Sequence, residues 1–203
     1  MSEQDGVIGR AGKWEKLESP ARAAELDPLG TLRRVGLCRG ETVCDIGAGS
    51  GLFTLAAARL TDSDVWAAET DLEILKRLSV CAKEEGLLHV RPVPTDGISY
   101  PLPDGCADWA LLVTVLHEVS GKSSLLKELH RLVRPGGHVC LIEFQKKRTP
   151  MGPPPEHRFG ADEAEALFAG NGFLMESEFL LGADFYCQVW RREGRPADGT
   201  RAG

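Results

Sequence analysis

A short apolar run at residues 43–46 precedes three glycines at alternate positions, Gly47, Gly49 and Gly51, and an apolar helical segment follows them. This order predicts a strand, a tight turn and the start of a helix. Glycine in such a turn permits positive φ and lets another molecule touch the main chain, where a Cβ would block it. Asp45 precedes the first glycine by two residues. The turn therefore combines bare main chain with a carboxylate at the carboxyl end of a strand.

The glycine spacing and this acid limit the kind of ligand. A dinucleotide fingerprint, G-x-G-x-x-G, would need glycine at position 52, which is Leu52. A pyrophosphate also requires main-chain N–H groups with no carboxylate beside them, whereas a ligand with a cationic amino group could use Asp45. The turn thus favours a cationic ligand over a dinucleotide. A plain strand-to-helix turn is the alternative interpretation.

Two further acids follow predicted strands. Glu69 comes about 20 residues after the glycines, where a carboxylate can accept hydrogen bonds from the 2′- and 3′-hydroxyls of a ribose. Asp71 is a nearby competitor for this role. Asp96 follows the third apolar run and could accept a hydrogen bond from an adenine amino group, while the Gly97 N–H reaches a ring nitrogen. The alternative for Glu69 is a glutamate at the surface, and the alternative for Asp96 is an Asp-Gly pair that only forms a turn.

The segment after the fourth predicted strand, residues 114–118, should face the reacting part of a ligand, because it reaches the same edge of the sheet. A substrate that reacts through a protonated group would need a general base to remove the proton. The candidates are His117, Glu118, Glu143 and His157. We select His117 and Glu143 as the predicted catalytic pair, because each lies near the end of a strand. A histidine that caps the next segment is the alternative for His117.

These residues need a scaffold that brings strand ends together. Strand and helix patterns alternate along the chain, which predicts a parallel sheet wrapped on both faces. The last two strands lack a helix between them, and a hairpin at residues 182–183 would make the final strand antiparallel. The fold class is therefore α/β: a Rossmann-like seven-stranded sheet, mostly parallel with an antiparallel last strand, and helices on both faces. The predicted strands are the short β-branched run that ends at Asp45 and residues 65–69, 89–94, 108–116, 138–144, 174–181 and 184–191. The predicted helices are residues 52–60, 72–85, 120–133 and 162–170.

Domain organisation follows from the same patterns. Ser-Pro at 19–20 and Asp-Pro at 27–28 predict two helix starts. They belong to a helical cap, residues 14–36, that either lies across the site as a lid or only covers an edge. We expect residues 14–192 to form a single domain, residues 1–13 to be flexible and residues 193–203 to be disordered.

Composition excludes several classes of protein. The chain has 203 residues, 42% of them hydrophobic, which suits one domain with a substantial core. A net charge of −6 and a single short basic cluster at residues 146–148 argue against a nucleic-acid partner. Neither a membrane-spanning run nor a signal peptide is present, so we expect a cytoplasmic protein. Six cysteines without a C-x-x-C pair predict no disulfide framework or metal site. A thiol role and a homodimer stay open.

The strand ends, taken in order, resemble those of the class I S-adenosylmethionine-dependent methyltransferases, most nearly the small-molecule type that includes the ubiquinone/menaquinone-biosynthesis enzymes. Residues 43–51 (VCDIGAGSG) are similar to motif I of that family. Glu69 resembles the motif II acid, and Asp96 sits where the adenine-side acid falls. Residues 132–137 (LVRPGG) resemble the turn before the fifth strand. The resemblance covers most of the chain and is specific for fold and cofactor.

The resemblance implies S-adenosyl-L-methionine as the cofactor and in-line methyl transfer to a small-molecule acceptor, with no metal. The segment after strand four lacks both the N/D-P-P-Y/F signature of enzymes that methylate base amino groups and the Pro-Cys pair of cytosine C5 enzymes. These absences lower the expectation of a nucleic-acid substrate. The implied cofactor-binding residues are Asp45, Gly47, Ala48, Gly49, Gly51, Glu69, Thr70, Asp96, Gly97, Val113 and Thr114.

Other functions stay open at this point. A protein or RNA methyltransferase would use the same fold and cofactor. A non-catalytic protein that binds S-adenosylmethionine or S-adenosylhomocysteine, as a sensor or partner subunit, also fits, because no residue is compelling as a catalyst. An oxidoreductase is a distant third candidate, which saturable NAD binding would revive.

Overall fold

The structure is a computed structural model that describes residues 19–194. The predictions for residues 1–13, for residues 14–18 of the helical cap and for residues 195–203 of the tail lie outside the described residues. The helices are α1 (Pro20–Leu26), α2 (Pro28–Val35), α3 (Leu52–Leu60), α4 (Leu72–Glu84), α5 (Lys122–Leu132) and α6 (Ala161–Ala169), with a 3-10 turn at Pro155–His157. The strands are β1 (Val43–Ile46), β2 (Val65–Glu69), β3 (Val90–Pro94), β4 (Ala107–Val113), β5 (Val133–Phe144), β6 (Phe173–Leu181) and β7 (Phe185–Arg192).

The strands form one seven-stranded sheet in the order β3-β2-β1-β4-β5-β7-β6. The first five strands pair in parallel, whereas β7 runs antiparallel to both β5 and β6. The predicted fold class, including the terminal hairpin, is confirmed. Because the strand order reverses direction between β1 and β4, a crevice opens at their carboxyl ends, which is where open α/β sheets bind ligands.

Alternate residues of each strand face opposite sides of the sheet, so the sheet divides the core in two. Val43 and Leu111 pack with buried residues of α1 to α4 on one face. Cys44 and Leu112 pack with buried residues of α5 and α6 on the other. Apolar residues on both sides of a strand account for the nearly continuous apolar run in β4.

Two strand boundaries differ from the prediction by more than one residue. β4 ends at Val113 and not at residue 116, because Thr114 takes a φ of 53°, a left-handed conformation that cannot continue a strand. β5 begins at Val133 and not at residue 138. The segment at residues 134–137, predicted as a turn, runs beside the start of β4 with an irregular register, and Gly136 has a φ of 75°.

The helical cap is joined to the far end of the chain. Both predicted helix starts are confirmed, with Pro20 and Pro28 at the first helical positions. Glu25 of α1 accepts a hydrogen bond from the main-chain N–H of Asp184 at 2.6 Å. A Cβ on Gly182, in the β6–β7 hairpin, would overlap the Glu25 side chain. The hairpin therefore fixes α1 beside the carboxyl edge of the sheet.

Candidate functional site

A cavity of about 580 Å³ opens at the carboxyl ends of β1, β2 and β4. Its volume falls within the range of small-molecule sites. All of the predicted cofactor-binding residues line this cavity except Gly51. Gly51 instead has a φ of 90° at the start of α3, and a Cβ there would lie 2.8 Å from the Leu78 side chain, so glycine is needed at that position for packing.

Gly47 shows why the turn needs glycine at the cavity itself. It has a φ of 70°, and a Cβ on it would lie 2.6 Å from a methyl carbon of Val115. The side chain of Val115 therefore closes over the main chain of the turn, which any larger residue would prevent. The close approach that this glycine permits is therefore made by a side chain of the protein itself.

The main-chain N–H groups of the glycine turn, residues 47–51, are largely used inside the protein. The first two both donate to the carbonyl oxygen of Ala68, at 2.9 and 3.0 Å. The Gly49 N–H donates to Oε2 of Glu69 at 2.9 Å, and the Gly51 N–H donates within the turn at 2.9 Å. A pyrophosphate at this helix start would need these donors, so the geometry disfavours a dinucleotide.

Glu69 is held rigidly at the end of β2. Its Oε1 oxygen accepts hydrogen bonds from the main-chain N–H groups of Thr70, at 2.8 Å, and Asp71, at 3.0 Å, and from the Thr70 hydroxyl at 3.1 Å. Its competitor, Asp71, does not line the cavity and caps α4 by accepting from the N–H of Ile74 at 3.3 Å. The carboxylate presented to the cavity is therefore that of Glu69, which is 7% exposed.

Asp45 is buried beneath the turn, with 2% of its surface exposed. The hydroxyl of Thr54 donates to its Oδ2 oxygen at 2.6 Å. Burial raises the pKa of Asp45 to about 6; the negative charge of Glu69 adds to the rise and the Thr54 hydrogen bond opposes it. A carboxylate in this environment is stabilised as an anion by a cation beside it.

Asp96 forms a turn and also lines the cavity. Its Oδ1 oxygen accepts hydrogen bonds from the N–H groups of Ser99 and Ile98, both at 2.8 Å, and these bonds lower its pKa. Its Oδ2 oxygen has no partner within residues 19–194. The turn interpretation is therefore correct, and it leaves one oxygen available to a ligand.

The end of β4 carries a strained residue and an unexpected neighbour. Thr114, with its positive φ, donates its main-chain N–H to the carbonyl of Ile142 at 2.7 Å. Its hydroxyl accepts a hydrogen bond from Nη2 of Arg22, on α1, at 2.9 Å. A strained, bulky residue that the surrounding bonds hold in place is common at functional sites.

Arg22 is a cavity residue that the sequence reasoning missed. Among the described residues that line the cavity it is the only basic one, whereas Asp45, Glu69, Asp96 and Glu118 are acidic. The only signal in the sequence was its position in the cap, for which a lid over the site was one of two interpretations. Much of the apolar lining was also missed, because nothing local marks it: Leu52, Phe53, Ile98, Tyr100, Val119 and Leu125.

The predicted catalytic pair meets, but away from the cavity lining. Nδ1 of His117 lies 2.9 and 3.0 Å from the two carboxylate oxygens of Glu143, and the His117 N–H donates to Oε1 at 3.1 Å. Burial lowers the pKa of His117, but the hydrogen bond and charge of Glu143 outweigh it, so the net pKa is raised. Neither residue is among those that line the cavity, whereas Glu118 is. Their catalytic role stays a prediction.

The last general-base candidate, His157, lies in the loop after β5 and is exposed. Its neighbour Arg158 is only 4% exposed. The guanidinium of Arg158 donates to four main-chain carbonyl oxygens and to the Thr149 hydroxyl, and it stacks 4.9 Å from the centroid of the Phe144 ring. Arg158 therefore organises the loop.

Two further observations concern residues 19–194 as a whole. No helix in this range is long and apolar enough to cross a bilayer. No group of three or more histidine, cysteine, aspartate or glutamate side chains in this range is arranged to hold a metal ion.

Comparison with known proteins agrees with this geometry. Residues 44–141 match the family model described as "Methyltransferase domain". A demethylmenaquinone methyltransferase of Anoxybacillus flavithermus is 29% identical over 56% of this chain and 48% of its own length. The ubiquinone/menaquinone biosynthesis C-methyltransferase UbiE of Azotobacter vinelandii is 31% identical over 57% of this chain and 47% of its own. The chain thus spans about half the length of these curated relatives.

Solved structures extend the likeness to nearly the whole chain. A SAM-dependent methyltransferase from Aquifex aeolicus superposes with a TM-score of 0.84 at 25% identity, covering 89% of this chain and 97% of that one. The [4+2]-cyclase SpnF superposes with a TM-score of 0.72 at 19% identity, covering 85% and 82%, which supports the fold alone. In sequence and fold, the chain resembles the class I S-adenosylmethionine-dependent methyltransferases, among them the ubiquinone/menaquinone-biosynthesis enzymes.

Proposed function

We propose that the protein binds S-adenosyl-L-methionine in the cavity and transfers its methyl group to a small-molecule acceptor. The observation that carries this proposal is the Glu69 carboxylate, which is locked by the Gly49 N–H at 2.9 Å and faces the cavity. It occupies a donor that a dinucleotide would need and offers oxygens that ribose hydroxyls can use.

The residues present fit this cofactor. Asp45 suits the cationic amino group, Glu69 the ribose hydroxyls and Asp96 the adenine amino group. The Gly97 N–H, predicted to reach an adenine ring nitrogen, instead donates to the Thr95 hydroxyl at 3.1 Å. Gly47 lets the side chain of Val115, which also lines the cavity, pack against the main chain of the turn. When bound, S-adenosylmethionine supplies a methyl group already activated by a sulfonium. The protein then has to hold the acceptor in line with that methyl group and keep water out.

We propose that the segment after β4, residues 114–118, has a positioning role at the cavity. Glu143 is fully buried and binds both the ring and the main-chain N–H of His117, which fixes residues 114–118 relative to β5. Thr114, at the start of this segment, lines the cavity and is held in a strained conformation. We therefore propose that His117 and Glu143 act first by positioning this segment, with a general-base role for His117 reserved for protonated acceptors.

The acceptor is proposed only as a small molecule. The relatives are named for demethylmenaquinone and for ubiquinone/menaquinone biosynthesis, so a demethylated quinol is the first acceptor to try. A net charge of −6 argues against a nucleic-acid substrate. A single methyltransferase domain over residues 14–192, a cytoplasmic location and a homodimer are further proposals.

Calorimetric titration with S-adenosylhomocysteine and with NAD tests the cofactor. We expect saturable binding of S-adenosylhomocysteine and no saturable binding of NAD. Incubation with methyl-labelled S-adenosylmethionine and a panel of quinols, phenols, amines and thiols then tests transfer. The proposal fails if S-adenosylhomocysteine does not bind at millimolar concentration.

Binding without transfer would favour the sensor or partner-subunit function. One observation supports that alternative: within the described chain, neither predicted catalytic residue lines the cavity. The fold also occurs in a protein named as a cyclase, so fold alone does not determine the reaction. Label transferred to protein or RNA in the same assay would favour the macromolecular alternatives.

Cofactor affinity should fall in acid because of Asp45. Its pKa is raised to about 6, so it becomes protonated below that pH and loses its attraction for a cationic amino group. We expect the affinity for S-adenosylhomocysteine to be constant from pH 7 to 8 and to fall by up to about tenfold per unit below pH 6. Titrations at a series of pH values measure this.

The matched variant is Asp45→Asn, which keeps the side-chain shape and removes the titrating group. It should bind more weakly at pH 7 and show little change between pH 5 and pH 8. Parallel pH profiles for the two proteins would show that Asp45 does not face the amino group.

A further inference from the structure

Arg22 is a cavity residue with a buried N–H group that has no partner among the described residues. Its Nη2 donates to the Thr114 hydroxyl at 2.9 Å, and its guanidinium carbon lies 5.9 Å from the centroid of the Phe185 ring. Its Nε is buried and has no hydrogen-bond partner within the described chain. A guanidinium has five N–H donors, and a buried donor without a partner is rare in native proteins, so this one needs an explanation.

The position of Arg22 is nevertheless well fixed. Glu25, one turn further along α1, bonds to the N–H of Asp184, and Leu26 is fully buried. Burial lowers the pKa of Arg22 and the charge of Glu143 opposes this, so the cation is desolvated but balanced on one side by an acid. A fixed, partly desolvated guanidinium is well suited to binding an anion, because little ordering is needed when the anion binds.

Strand order places Arg22 away from the nucleoside end of the cavity. Thr114, its partner, ends β4, whereas Glu69 ends β2, and β1 lies between these strands. At about 4.8 Å per strand the two ends are about 10 Å apart. The cavity is therefore acidic where ribose is expected and carries its one basic side chain, among the described lining residues, at the β4 end.

We propose that Arg22 binds a carboxylate at the β4 end of the cavity. This inference rests on the proposed function and adds a charge requirement to it. The carboxylate has two sources: the α-carboxylate of the cofactor itself, or an anionic group on the acceptor. Both would take the free N–H donors of Arg22 in charge-assisted hydrogen bonds.

The test uses Arg22→Met, with Arg33→Met as the matched control and Arg22→Lys as the variant that keeps the charge. Arg33 is exposed on α2, so its substitution removes the same charge outside the cavity. Calorimetry compares S-adenosylmethionine with decarboxylated S-adenosylmethionine, which keeps the amino group and the sulfonium. A second series titrates benzoate into each protein, with and without S-adenosylhomocysteine.

If Arg22 binds the carboxylate of the cofactor, we expect Arg22→Met to bind S-adenosylmethionine about 10- to 100-fold more weakly than the unchanged protein. The two proteins should then bind the decarboxylated compound equally. Arg22→Lys should fall between, because it keeps the charge without the planar fork. If Arg22 instead binds a carboxylate of the acceptor, we expect Arg22→Met to keep its affinity for the cofactor and to lose the binding of benzoate. Arg33→Met should match the unchanged protein in both series.

Two results separate the inference from the function on which it rests. If the affinity for S-adenosylmethionine survives in Arg22→Met, and benzoate either binds both proteins equally or binds neither, the inference is overturned and the proposed function stands. If the unchanged protein binds neither cofactor form, the proposed function fails. Benzoate binding that is lost in Arg22→Met would then still support an anion site at Arg22, and its persistence would overturn it.

Discussion

Replacing Glu69 with alanine is expected to weaken the binding of S-adenosylhomocysteine by about 100-fold or more, the largest loss from any single change at the cavity. Two hydrogen bonds from ribose hydroxyls to a carboxylate, at about 1.5–3 kcal/mol each, account for a loss of this size. The substitution also removes the acceptor for the Gly49 N–H and for the N–H groups of Thr70 and Asp71. The glycine turn should therefore lose part of its order.

Glu73→Ala is the matched control, because Glu73 is an exposed glutamate at the start of α4, four residues away. Its affinity for S-adenosylhomocysteine should equal that of the unchanged protein. Glu69→Gln keeps the shape of the side chain but removes its charge. Its amide N–H₂ group would face main-chain N–H groups that donate to the carboxylate in the unchanged protein. Calorimetry gives each affinity, and a Glu69→Ala protein that binds within threefold of the unchanged one would contradict the ribose assignment.

Most of the residues predicted to bind the cofactor do line one cavity, which could be predicted because their placement depends on local sequence and on strand order. Each predicted contact follows the carboxyl end of a strand, and parallel strands bring those ends to one edge of the sheet. Spacing could not distinguish Glu69 from Asp71. The difference is that Glu69 turns back to the Gly49 N–H, whereas Asp71 caps α4.

The acceptor half was less predictable, because it depends on tertiary contacts. Arg22 reaches Thr114, 92 residues away, only because the terminal hairpin fixes α1 at the sheet edge. His117 and Glu143 were both expected at that edge, and they do meet across neighbouring strands. The sequence did not indicate that neither of them would be among the residues that line the cavity, nor that the chain would leave β4 through a left-handed residue, Thr114.

The loop after β5 shows how composition can mislead. Residues 145–158 are rich in proline, glycine and basic side chains, which is typical of a solvated loop. Instead, the side chain of Arg158 is buried, and its guanidinium donates hydrogen bonds to main-chain carbonyl oxygens of the loop. Such an arrangement satisfies polar main-chain groups that have no helix or sheet partners, a need that composition does not reveal.

Replacing Arg158 with methionine is expected to cost about 3 kcal/mol of unfolding free energy, which corresponds to a Tm about 6–12 °C lower for a chain of this size. The physical reason is the number of groups that lose a partner. The guanidinium bonds the carbonyls of Gln145, Lys147, Met151 and Pro153, at 2.7 to 3.0 Å. Methionine fills part of the space but offers none of these donors.

Arg148→Met is the control for Arg158→Met, because Arg148 is an exposed arginine of the same loop and loses the same charge. A surface change of this kind should stay within about 0.5 kcal/mol. Thermal unfolding followed by circular dichroism measures both variants. Since Arg158 does not line the cavity, its variant should keep its affinity for S-adenosylhomocysteine at a temperature where it is folded. Equal Tm values for the two variants would mean that the buried guanidinium does not hold the loop.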